Sequence, residues 1–142
     1  RQAAVDRLLD HYLASVSAAA AVLYPKIMRL PEPDPGSRPP SVGFDSPGIA
    51  SAWLDDERTN LVTAVTYAAV HGPPRMAWLL ADAMRGYFYL RMHFVDWLAA
   101  TRAALVAAES AGDRRAEAAL QLGIASLRFR QSDYPACVES GT

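Results

Sequence analysis

An all-α fold of antiparallel helical hairpins, about six helices in all, is what this sequence predicts, and three observations predict it. Apolar residues recur at three-and-four spacing, the pattern of helices with one buried side. Strand-like alternation is absent from the N-terminal stretch 5–23, where that pattern is clearest. Proline and glycine interrupt the periodic stretches at short intervals, leaving room for tight turns between helices.

The elements follow in order. Val5, Leu8, Leu9, Tyr12, Leu13 and Val16 define the inward side of a first helix that Pro25 stops. Residues 31–47, PEPDPGSRPPSVGFDSP, hold too many prolines and glycines for a regular element and read as a linker with polyproline-like stretches. Ser46 before Pro47 is a helix cap followed by proline at the first helical position. Ile49, Trp53, Leu54, Leu61, Val62, Val65 and Ala69 then carry a second helix to His71-Gly72, with a bend expected near Asp56.

Pro73-Pro74 start a third helix, marked by Trp78, Leu79, Met84, Tyr87, Phe88 and Leu90 and reaching about Arg91, with His93 at the turn. A fourth runs from about Phe94 to Ser110 with Trp97, Leu98, Ala104, Leu105 and Ala108 inward, and Gly112 ends it. Asp113 caps a fifth helix from Arg114 to about Arg130. Ser132-Asp133 is expected to turn the chain into a sixth helix starting near Tyr134. The domain reading is a connecting helical arm at 1–30, the linker at 31–47 and a helical repeat domain at 48–142. Arg1 at the start and ESGT at the end suggest a piece of a longer polypeptide.

Composition narrows the function. With 142 residues, 51% apolar and 20% charged, the chain can bury a sizeable core. A formal charge of −1 lacks the basic excess of a phosphate-gripping module, so nucleic acid is not expected as a partner. Cys137 is the only cysteine, which excludes an internal disulfide and a multi-cysteine zinc site and fits a reducing cytoplasm. No stretch approaches the roughly 20 uninterrupted apolar residues of a membrane span, so no membrane contact is expected.

Chemistry-bearing motifs are sparse. In WLDDERTNLVTAV (53–65), successive helical side chains point about 100° apart, so Asp55, Asp56 and Glu57 cannot converge on one ion. Glu57 shares a side with Trp53 and Leu61, which predicts partial burial and pairing with an arginine or a helix end. His11, His71 and His93 lie on separate elements and read as surface or turn residues. Neither a phosphate loop nor a nucleophile elbow occurs. The chain is therefore not expected to be an enzyme, and catalytic, cofactor-binding and metal residues are expected to be none. The richest candidate surface is GYFYLRMHFVDW (86–97): Arg85, Tyr87, Tyr89, Arg91, Phe94 and Trp97 could line a groove for a peptide or planar ligand, against the alternative that the aromatics fill space between helices.

Two repeat units similar to the tetratricopeptide type can be aligned, so the hairpins of 48–142 are expected to stack as a tetratricopeptide-like superhelical repeat array, cut short at its C-terminus. One has Phe94 at the aromatic turn position and Ala104-Leu105 near the end of its second helix. The other has Ala125 and Cys137 at small-residue positions around Ser132-Asp133-Tyr134. Trp97 and Cys137 depart from the usual alanine. Together with RLLDHYL, AWLDDERTNLVTAV, GPPRMAWLLADAMRGYFYLR, Asp96-Trp97 and AALVAAESAGDRRAEAALQLG, the pattern resembles the carboxy-terminal sensor region of bacterial antibiotic-biosynthesis regulators of the SARP type, signal-transduction ATPases of the STAND class. The resemblance implies a cytoplasmic regulatory module that receives a protein partner or an effector and controls ATPase and DNA-binding parts lying elsewhere. Expected partners are another protein or its own ATPase domain, with a small-molecule effector and a homo-oligomer as further alternatives. The rival expectation is a passive helical scaffold or oligomerisation segment.

Overall fold

The computed structural model describes residues 2–24, 44–91 and 93–139, with side-chain surroundings from Ala3 to Phe129 within those spans. Its regular structure is entirely helical: α1 (Gln2–Leu23), α2 (Pro47–His71), α3 (Pro74–Ala83), α4 (Arg85–Arg91), α5 (Phe94–Ala111) and α6 (Arg114–Glu139). Among the described residues no helix is long and apolar enough to cross a membrane. The linker expected at 31–47 lies outside the described residues as far as position 43, as do the terminal SGT of the chain.

Local chemistry sets most boundaries. The Ser46 hydroxyl accepts from the Ile49 N–H at 3.2 Å, with Pro47 following at the first helical position. α2 then runs unbroken past Asp56 to Gly72. Gly112 adopts φ 73° and ψ 23°, and its N–H and that of Asp113 bond back to Glu109 and Ala108, the double closure of a Schellman ending. One residue on, the Asp113 carboxylate accepts from the Ala116 N–H at 3.0 Å and starts α6.

Two expected boundaries are corrected. The third helix is two helices: α3 ends at Ala83 and α4 begins at Arg85, with the wholly buried Met84 (φ −87°, ψ −4°) between them, although the Met84 and Phe88 N–H groups still bond to the carbonyls of Leu80 and Met84. The turn expected at Ser132-Asp133-Tyr134 is absent: α6 continues through it to Glu139, so the fifth and sixth helices are one. Ala125, assigned the small-residue position of the first helix in the second repeat unit, is exposed, and Cys137 lies beyond the described side chains.

α3 is the centre of the molecule. Every residue from Met76 to Ala83 is buried, and α3 packs against each of the other five helices. α1 lies on α2 and α3, α5 crosses both α2 and α3, and α6 covers α5. Leu54, Leu61, Leu80, Met84, Tyr87, Phe88 and Trp97 are the largest wholly buried side chains, each stabilising the fold by about 1.5–3 kcal/mol through apolar burial. Among them lies a seam of alanines in the same core: Ala50 and Ala68 on α2, Ala77 on α3, and Ala100, Ala104 and Ala108 on α5 are wholly buried.

Candidate functional site

The acidic segment of α2 behaves as helical rotation requires, each carboxylate finding a different neighbourhood. Asp55 accepts from the Tyr87 hydroxyl at 2.6 Å through Oδ1 and from the Arg91 guanidinium at 2.6 Å through Oδ2. The tyrosine hydrogen bond, then Arg91, holds the Asp55 carboxyl below its ordinary range, although burial opposes this. Burial and the same hydrogen bond push Tyr87 up to about 12. Asp56 is exposed. Glu57 is half-buried, as expected, but its Oε1 accepts from the Tyr12 hydroxyl at 3.3 Å and from Asn60 Nδ2 at 3.4 Å rather than from an arginine. Among the described residues no group of acidic, histidine or cysteine side chains could hold a metal ion.

Arg58, one turn from Asp55, ties the turn before α5 to α2. Its Nη1 lies 2.9 Å from His93 Nε2, a contact that requires that ring nitrogen to be unprotonated and accepting. Its Nε lies 3.0 Å from Asp96 Oδ2, an ionic contact poorly aligned for a hydrogen bond. Burial first, and then the Arg58 charge, lower the His93 pKa from its ordinary value, with Asp96 and Asp55 opposing. Both cations here are matched by carboxylates and the histidine is neutral. The cluster acts as a clasp joining α2 to α4 and α5.

The six residues of the candidate aromatic surface do not form one open groove. Tyr87 and Trp97 are 1% exposed and belong to the core, because α4 and α5 turn them toward α2 and α3. Tyr89, half-buried, meets the Trp97 ring edge-on at 5.8 Å and 71°. Phe94 is half-buried against the core, and Arg85 is half-buried beside Gly123 of α6. Arg91 is exposed, with its charge directed to Asp55. Filling of inter-helix space, the alternative weighed for these aromatics, is what Tyr87 and Trp97 do.

An open concavity lies elsewhere among the described residues, between α1 and α2. Its volume is ≈ 280 Å³, and Val5, Leu8, Leu9 and Tyr12 line it from α1 while Asn60, Thr63, Ala64 and Tyr67 line it from α2. The lining is mostly apolar, with Leu8 48% and Tyr67 36% exposed. At one end the Tyr12 hydroxyl meets Glu57, whose carboxylate no cation pairs among the described residues. Sequence reasoning placed Leu8 on the inner side of the first helix. The available signal was its position at the edge of that side, beside Arg7.

Comparison with known protein families, curated proteins and solved structures finds no match to this chain.

Proposed function

We propose that this chain is a regulatory protein–protein interaction module, without catalytic activity of its own, that binds an amphipathic helix of a partner protein in the α1–α2 groove. The observation that carries the reading is the open apolar trough with a half-buried carboxylate at its end. Helix-in-groove recognition needs exposed apolar floor for anchors three and four residues apart, which Leu8 and Tyr67 offer. Glu57, held among the described residues by neutral donors, prefers a partner that brings a lysine or arginine to that end.

The resemblance to the sensor regions of SARP-type STAND regulators supports the regulatory half of this reading. In such a setting a bound helix that favours one arrangement of the module would bias an ATPase and a DNA-binding part in the cytoplasm. The scaffold alternative draws on other exposed apolar side chains, Val70 at 77% and Val95 at 83% among them, which a neighbouring domain could cover.

Selection of displayed amphipathic helical peptides against the chain tests the proposal. Enriched sequences are expected to carry a basic residue beside the apolar anchors and to lose at least about tenfold in affinity on Leu8→Asp. Glu57→Gln is expected to reduce the salt dependence of binding. Failure to enrich any peptide, or binding indifferent to Leu8→Asp, would leave the scaffold reading in possession.

A further inference from the structure

α6 has two apolar sides. Ala116, Leu120, Gly123 and Leu127 are buried inward, α5 being the main neighbour of this helix. Offset by two residues, and so turned about 200° around the helix, Ala118, Leu122, Ala125 and Phe129 form an outward stripe. Leu122 is 59% and Phe129 71% exposed, and both alanines are exposed. Apolar residues on both sides are characteristic of a helix that is covered on both.

We propose that a second copy of this chain covers the stripe, the two α6 helices lying antiparallel about a twofold axis that passes between Leu122 and Ala125. The stripe is complementary to itself. The stripe is spaced four, three and four residues apart, the repeat that meshes two helices, and it alternates small and large. About that axis Leu122 faces Ala125 of the other copy and Phe129 faces Ala118, so each large side chain meets a small one at both contact levels. The borders agree: Arg128 falls opposite Ala119 and Gln121 opposite Ser126. A parallel in-register pair would instead set Phe129 on Phe129, Ala118 on Ala118 and Arg128 on Arg128, combining overfilled levels, empty levels and repelling charges.

Sedimentation equilibrium of the whole chain across a wide concentration range tests this. A reversible monomer–dimer equilibrium is expected, with Leu122→Arg raising the dissociation constant at least about tenfold. Ala118→Phe alone and Phe129→Ala alone are each expected to weaken association several-fold. The double variant Ala118→Phe/Phe129→Ala, which restores a large-to-small match only in the antiparallel register, is expected to return close to the parent value. Because all three positions are exposed, unchanged circular-dichroism melts at low concentration would show the monomers intact. A chain that stays monomeric, a dimer indifferent to Leu122→Arg, or a double variant as weak as its singles would overturn the proposal.

Discussion

His93 shows how one side chain links charge to stability in this fold. Its folded pKa lies below its ordinary value, through burial and Arg58. The unfolded chain therefore binds a proton at this position first as the pH falls. Stability from the neutral ring is complete above about pH 6.5 and is lost as the pH drops through the lowered folded value. Asp55 acts in the same sense lower on the scale, its stabilisation being lost only as the pH falls through the depressed carboxylate value. Melting temperatures measured from pH 8 to pH 5 are expected to decline at the acid end, with His93→Gln flattening the part that begins near pH 6.5. A variant whose acid limb matches the parent's would remove His93 from this role. None of these partnerships was legible in the sequence. That Glu57 would be half-buried follows from helical periodicity. That Asp55 would bond Tyr87, 32 positions away, depends on how α2 crosses α4, which no local pattern encodes.

Element boundaries were readable wherever a backbone requirement selects a residue type. Ser46, Pro47, Gly72, Pro74, Gly112 and Asp113 stand where caps and turns need them. Gly112 illustrates the energetic side: a Cβ there would meet nothing within 4 Å, so its requirement is the positive φ of 73° alone. Gly112→Ala is expected to cost about 1 kcal/mol by chemical denaturation. Gly112→Asn should recover part of the loss, because asparagine tolerates the left-handed region. The two boundaries that were misjudged lack such a marker or carry a misleading one. Methionine is a good helix former, so nothing in the residue type marks the break at Met84. Ser-Asp-Tyr-Pro has the composition of a turn, yet α6 runs through it.

For the whole molecule, the helical class was evident from periodicity, while the arrangement of helices about α3 was not. A helix buried along its whole length shows no polar side to orient it, and α3 from Met76 to Ala83 is such a segment. Since α3 packs against every other helix, damage to it should be felt everywhere. Leu80→Ala is expected to cost about 2–5 kcal/mol. Urea transitions followed by tryptophan fluorescence and by circular dichroism should shift together, whereas separated transitions would show that α3 does not unite the fold. The alanine seam bears on how such a protein can vary. Alanine surrenders no rotamer freedom on folding and offers only one methyl to delete. At Ala100 or Ala104, therefore, trimming removes little, whereas any enlargement must be accommodated inside a filled core. Cores usually suffer most from lost bulk. Along this seam the hierarchy is inverted, and the sequences open to drift are those that keep these positions small.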